Sequence, residues 1–307
     1  MLSSKELRDK AKELVDAHYG DNHKKRLTHI YGVAEMAGFL AERMGLDKYR
    51  AEAAGYMHDY SKYDDFDLEK LYLSDEDQKE CEKYPFLYHA YLSAYHTREL
   101  LTDDEEIYQA VRNHVFGRPG MSTLEAIVMI ADFTEKNRTY DDCIRCRHIL
   151  VDDGDFNLAI VESLKATIKH CEEEGDIPHP KQMLVLREYE ERVKKNKMTL
   201  EEILIDCVKK VRGTDIIVYD MMNRSPFYDK MILASVDSLR QANAVTGYIE
   251  DAFKDTEYKI RNVEGGNTAW VLVDCNDIIL SLFTKEEREH FALEKIYMDY
   301  PATKIED

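Results

Sequence analysis

Met57-His58-Asp59-Tyr60-Ser61-Lys62 sets a histidine beside an aspartate at the end of a segment in which Ala51, Ala54 and His58 recur on one helical face. Four further segments show the same anomaly of a metal-capable side chain where an apolar one is expected. His29 lines up with Val33, Met36 and Leu40, and His89 precedes Leu92 by one turn. His114 follows Ile107 and Val111, and Asp132 follows Leu124 and Val128. A polar group facing a core is costly unless it is hydrogen-bonded, paired or ligated. A single histidine on an apolar stripe is more often a hydrogen-bonded core residue than a ligand. Five such positions in one helical region are satisfied together by a shared metal centre. Histidine with carboxylate suits divalent iron, manganese, cobalt, nickel or zinc without choosing among them.

The chain around these positions has 307 residues, enough for two domains. Charged residues make up 34% and hydrophobic residues 44%, an ordinary globular composition. No apolar run approaches the roughly 18 residues of a membrane span; the longest is Ala126–Ala131. The start, Met-Leu-Ser-Ser-Lys-Glu, continues charged, so no export signal is expected. Six scattered cysteines fit a reduced, cytoplasmic protein. The pair Cys143/Cys146 lacks a second pair or a nearby histidine to complete a zinc site. The net charge of −19 argues against holding bare DNA or RNA, and a polyanionic substrate would need local positive charge such as bound metal ions.

Residues 1 to about 193 read as helices almost throughout. Apolar residues recur at helical spacing over 27–44, 49–60, 85–101, 105–116, 122–136 and 156–171, and Ser3 with Glu6 and Ser122 with Glu125 form capping boxes. Beyond the basic stretch Arg192–Lys197 the character changes. Thr199 with Glu202 caps a new helix, and strand-like runs follow at 215–220, 230–236, 258–263, 269–275 and 277–283. A helix is expected near 238–253 and another from Thr284, while Gly265-Gly266-Asn267 reads as a turn between strands. The expected architecture is an all-α N-terminal bundle over 1–195 and a small α/β domain with a mixed sheet over 196–307.

The order His29, His58-Asp59, His89, His114, Asp132 resembles the HD superfamily of metal phosphohydrolases. Six strings are similar to its YqeK branch: Arg26-Leu-Thr-His29, Met57–Lys62, Leu87-Tyr-His-Ala90, Asn113-His-Val-Phe-Gly117, Gly120-Met-Ser122 and Ile130–Arg138. The resemblance implies a two-metal HD site that cleaves diadenosine tetraphosphate symmetrically into two ADP. It implies that His29, His58, Asp59 and Asp132 hold one ion, His89 and His114 the second, and that Asp59 bridges. Iron is the first ion it suggests. Asp59 and Lys62 would be catalytic, and Lys62, Arg118 and Arg138 would contact substrate phosphates. Val115 and Lys136 depart from the family's usual threonine and proline, which bears on the substrate rather than on the ligands. Two alternatives stay open: another nucleotide substrate, or a non-enzymatic factor with a structural metal site.

After residue 198 no nucleophile–base pair, phosphate loop or metal cluster occurs, so the second domain reads as an interaction module. Asp215–Asp220, Ser235–Gln241, Glu264–Asp274 and Glu286–Glu294 resemble the ribosomal silencing factor RsfS (Iojap-like) family. That resemblance implies binding to the large ribosomal subunit through ribosomal protein fourteen, a block on subunit joining, and a role under starvation or stress. Trp270, the only tryptophan, would lie near the ribosome-facing surface. Lys230, Ser281 and Tyr297 stand where the family usually has Tyr, His and Trp. A homodimer is left open.

Overall fold

The computed structural model describes residues 2–221, 225–254 and 256–306. The chain divides into two compact units, Met1–Val193 and Lys194–Asp307.

The first unit is helical: α1 (Ser4–Tyr19), α2 (Lys24–Arg43), α3 (Lys48–Met57), α4 (Phe66–Glu69), α5 (Asp75–Lys83), α6 (Tyr88–His96), α7 (Glu105–Arg112), α8 (Thr123–Thr134), α9 (Asp141–Val151), α10 (Phe156–Glu173) and α11 (Pro180–Asn196), which runs past the unit's last residue. Both expected capping boxes form, Ser3 with Glu6 and Ser122 with Glu125, and Asp47 and Asp104 cap α3 and α7. Helix α3 lies at the centre, against α1, α2, α7 and α8. Its small residues Ala51, Ala53, Ala54 and Gly55 are buried around the whole helix, which is how a helix surrounded by neighbours reads.

The expected helices over 49–60 and 105–116 both end early. Helix α3 stops at Met57 and α7 at Arg112, so His58 and His114 lie just past helix ends rather than within helical stripes. From Met57 the backbone proceeds by tight turns, with Tyr60 N–H donating to Met57 O and Lys62 N–H to Asp59 O. Helix C-termini leave carbonyls without partners, and the histidines take them.

The second unit contains α12 (Leu200–Lys210), β1 (Thr214–Asp220), β2 (Lys230–Val236), α13 (Leu239–Phe253), β3 (Asn262–Glu264), β4 (Trp270–Asp274), β5 (Ile278–Thr284), α14 (Lys285–Phe291) and β6 (Ala302–Lys304). The sheet order is β3-β4-β5-β2-β1-β6. Strands β2 and β5 are parallel and the other pairs antiparallel, so the sheet is mixed as expected. Helix α13 lies in the crossover that a parallel pair requires. The strand expected over 258–263 shrinks to Asn262–Glu264. Its partner β4 ends at Asp274, which faces Asn262, so earlier residues have no ladder opposite them. Tyr258 and Ile260 pack on the core instead. The edge strand β6 was not expected, since Ala-Thr-Lys carries no strand pattern.

Candidate metal centre

All six sequence-predicted ligands meet in the first unit. His29 comes from α2, His58 and Asp59 from the turn after α3, His89 from α6, His114 from just past α7, and Asp132 from α8. The four histidines and Asp59 are buried, whereas the Asp132 side chain is 23% exposed and forms the open side.

Three overlapping groups have their ligand atoms within 4.8 Å of one another: His29, His58 and Asp59; His58, His114 and Asp132; and Asp59, His89 and His114. Asp59 stands between them. Its Oδ2 lies 3.8 Å from His29 Nε2 and 3.4 Å from His58 Nε2. Its Oδ1 lies 3.2 Å from His89 Nε2 and 3.9 Å from His114 Nε2. Asp132 Oδ1 lies 3.0 Å from His29 Nε2 and 3.9 Å from His58 Nε2.

The other ring nitrogens are already used. His58 Nδ1 is 2.7 Å from Gly55 O, and His114 Nδ1 is 2.8 Å from Val111 O. A carbonyl can only accept, so each Nδ1 carries its hydrogen and each Nε2 presents a lone pair to the cluster. His29 Nδ1 faces the buried Glu135 carboxylate at 3.2 Å. Gly32, one turn beyond His29, makes room for that carboxylate, since a Cβ there would lie 2.1 Å from Glu135 Oε2. Carboxylate and carbonyl partners of this kind orient metal-ligating histidines. His29 Nε2 and His58 Nε2 are buried and make no hydrogen bond of acceptable geometry. Inward lone pairs without donors, beside two carboxylates, fit a divalent cation.

Electrostatics prepare the same state at four of the groups, whereas at His29 burial is outweighed by the Asp132 and Glu135 carboxylates, which raise its pKa. Burial drives His89 well below its ordinary value despite Asp59, with Lys62 and His114 adding to the effect. Burial, then His58, pushes His114 down to about 4. Burial opposes charge on Asp59, but His58, His89 and Lys62 outweigh it and hold the carboxyl well below the usual range. Burial likewise opposes charge on Asp132, but His29 and Arg138 keep its carboxyl low. Neutral imidazoles and ionised carboxylates are the ligand forms.

Lys62 Nζ sits 3.3 Å from both His89 ring nitrogens. Arg138 donates to Asp132 Oδ1 at 2.8 Å. Arg118 is instead engaged by the capping-box carboxylate of Glu125, at 2.8 and 2.7 Å. Three contributors escaped the sequence reading. Arg26 donates to Asp59 Oδ2 at 2.6 Å, Glu135 holds His29, and Arg147 donates to the carbonyls of Thr134, Glu135 and Arg138, each at 2.6 Å. Arg26 and Glu135 lie within the quoted strings, beside Leu27 and after Thr134; Arg147 had no signal, because its role is to backbone carbonyls. Two clefts open on the cluster and share Arg138. One, of about 390 Å³, is lined by Lys25, Arg26, His29, Tyr63 and Asn137. The other, of about 520 Å³, is lined by Asp132, Val115, Phe133, Tyr140 and Lys169. Cys143 and Cys146 are buried free thiols on α9.

In the second unit Trp270 is half-buried, its ring stacked on Phe283 at 4.8 Å and tilted against Phe291 at 5.1 Å, and its Nε1 is buried without a partner. Lys230 pairs with Glu201, Ser281 is fully buried, and Tyr297 rests on Tyr219.

Residues 26–137 match the HD domain family, and residues 194–307 match the family described as ribosomal silencing factor during starvation. The chain is 36% identical over 146 residues to the symmetrical bis(5'-nucleosyl)-tetraphosphatase of Bacillus subtilis, covering 47% of this chain and 77% of that protein. It is 38% identical over 164 residues to the protein of the same name from Halalkalibacterium halodurans, covering 52% and 85%. The ribosomal silencing factor RsfS of Haemophilus influenzae is 32% identical over 101 residues, covering 33% of this chain and 99% of that one. A crystal structure of an HD superfamily hydrolase from Clostridium acetobutylicum, described as involved in NAD metabolism, superposes with a TM-score of 0.53 at 28% identity, covering 62% and 99%. No helix among the described residues is long and apolar enough to cross a membrane. The chain is therefore a fusion that belongs to two families, the HD-domain hydrolases related to the symmetrical bis(5'-nucleosyl)-tetraphosphatases through its first unit and the RsfS ribosomal silencing factors through its second.

Proposed function

We propose that the first unit hydrolyses diadenosine tetraphosphate symmetrically to two ADP at a two-metal site. His29, His58, Asp59 and Asp132 would hold one ion and His89 and His114 the other. The observation that carries this reading is the division of Asp59, whose Oδ2 faces His29 and His58 while Oδ1 faces His89 and His114. When bound, two divalent ions supply Lewis-acid charge and lower the pKa of an attacking water. Iron is the first ion to test, and the donors also suit manganese, cobalt, nickel and zinc.

The rest of the reaction falls to the chain's own groups. Water attacks one of the two inner phosphorus atoms, the bond to the central bridging oxygen breaks, and that oxygen leaves with the second ADP and takes a proton. Lys62, beside His89, and Arg138, beside Asp132, would meet charge on the phosphoryl oxygens, and a guanidinium suits paired phosphate oxygens. Arg118, bound to Glu125, reaches phosphate only by giving up that pair. Clefts on both sides of Arg138 favour a substrate with two nucleoside arms. An acidic chain needs such local cations to receive a polyphosphate. The runner-up is another nucleotide, which the NAD-metabolism description of the Clostridium acetobutylicum relative favours.

We infer further that the second unit binds the large ribosomal subunit through ribosomal protein fourteen and blocks subunit joining in the cytoplasm, with Trp270 in the contact. The RsfS relatives support this, and an acidic chain complements a basic ribosomal protein. Because Phe283 and Phe291 engage the Trp270 ring and its Nε1 is buried, contact with a partner would be through the exposed part of the ring.

The test is hydrolysis of diadenosine tetraphosphate by the purified chain with divalent iron, manganese or cobalt, products resolved by chromatography. ADP as sole product, absent with Asp59→Ala, is expected, and Asp59→Ala should lose both ions. Cleavage of another nucleotide alone would move the assignment to the runner-up.

A further inference from the structure

A second group of donors lies outside the catalytic cluster. His18 is at the end of α1, Asp64 in the turn that follows Lys62, Glu69 at the end of α4 and His96 at the end of α6. Ligand atoms of Asp64, Glu69 and His96 lie within 4.8 Å of one another. His96 Nε2 is 2.9 Å from Glu69 Oε2, and His18 Nε2 is 3.0 Å from Asp64 Oδ1. The histidine side chains are only 28% and 17% exposed. Asp64 Oδ2 and the nearby Ser61 Oγ are both buried without a hydrogen bond of acceptable geometry. Aromatic rings wall the group: Tyr60 stacks on His18 at 4.2 Å, and Tyr72 and Tyr95 flank His96.

We propose that Asp64, Glu69 and His96 form a separate site for a single divalent transition-metal ion, with His18 holding Asp64 from the other side. One imidazole and two carboxylates are donors that first-row divalent ions accept, with a further position left open as in other three-ligand sites. Ion pairs would satisfy Asp64 Oδ1 and Glu69 Oε2 alone, whereas a cation also meets Asp64 Oδ2, which has only the poorly aligned Ser61 hydroxyl beside it. The donors come from three places in the chain, so an ion here ties α4 and α6 to the turn that carries His58, Asp59 and Lys62, and His18 of α1 braces Asp64. Its role is to hold that turn, and it does not depend on the hydrolase reading.

The experiment is equilibrium dialysis of the full chain against cobalt(II), with bound metal counted by mass spectrometry. His96→Gln and Glu69→Gln, each confirmed folded by circular dichroism, are expected to bind one cobalt fewer per chain than the unaltered protein. The double variant Asp59→Ala/His96→Gln should show the two losses added, which assigns the ions to separate places. Unaltered stoichiometry in folded His96→Gln or folded Glu69→Gln overturns the proposal, as does a double variant that loses no more than Asp59→Ala.

Discussion

Replacing Gly55 with alanine tests whether the contact between α2 and α3 sets the geometry of the metal centre. A Cβ at Gly55 would lie 2.7 Å from Ala34 Cα and 3.0 Å from Ala34 N, both backbone atoms of α2 that no rotamer change can move. Ordinary contact begins near 3.4 Å, so the helices must part by about 0.7 Å. Overpacking of this kind costs about 1–3 kcal/mol. In a unit of this size that is a fall in Tm of roughly 2–12 °C. The displacement also separates His29 on α2 from His58, whose Nδ1 rests on Gly55 O itself. Misplacement by about 1 Å can cost on the order of 100-fold in rate, so a loss of roughly tenfold or more in turnover is expected. Differential scanning fluorimetry and initial rates at saturating metal read both effects. The control is Gly247→Ala in α13, where an added Cβ meets nothing within 4 Å. There the better helix propensity should stabilise by about 0.5–1 kcal/mol. A Gly55→Ala protein with unchanged Tm and turnover would refute the reasoning.

Three other expectations follow from burial and charge. Because all six proposed ligands precede residue 133, the fragment 1–195 should retain full hydrolysis; a folded fragment with greatly reduced turnover would show that the second unit takes part. Glu80 accepts from Lys181 Nζ at 2.8 Å and from the Tyr91 hydroxyl at 2.5 Å. Burial opposes its charge, but Lys181 and Tyr91 prevail and hold the carboxyl below its ordinary value of 4.5. A lowered folded-state pKa gives stability that is present above 4.5 and lost as pH falls through the folded value. Glu80→Gln should therefore lower the urea midpoint at pH 7 and converge on the unaltered protein near pH 3, and an equal deficit at both would exclude a charge effect. Finally, iodoacetamide at pH 8 should label Cys171 alone in the native state. The other five cysteines are buried, and burial pushes Cys146 and Cys275 up to about 12. Early labelling of Cys146, read by mass spectrometry, would contradict this.

The site was more legible in the sequence than the details of its support. His29, His89 and Asp132 stood at apolar spacing on helices that formed, and periodicity is a property that local sequence carries; the stripes read through His58 and His114 run past the ends of α3 and α7. The capping boxes at Ser3, Ser122 and Thr199 were equally local and formed as read. So was the change from helical to strand-like pattern after Lys197.

What the sequence by itself determined was therefore most element types, the two-part organisation and which residues were candidates for ligands, because these depend on neighbours three or four residues apart. The imidazoles of His58 and His114 bond to the carbonyls three residues back, Gly55 and Val111, so the ends of α3 and α7 are local too, yet periodicity read through them and the tertiary structure shows the break. It alone set Arg26 against Asp59 and Glu135 against His29, pairs separated by 33 and 106 residues. It also turned His18 and His96 toward two carboxylates. Contacts at such separations depend on how helices pack, and packing is settled by close approaches such as Gly55 against Ala34 that no periodicity records.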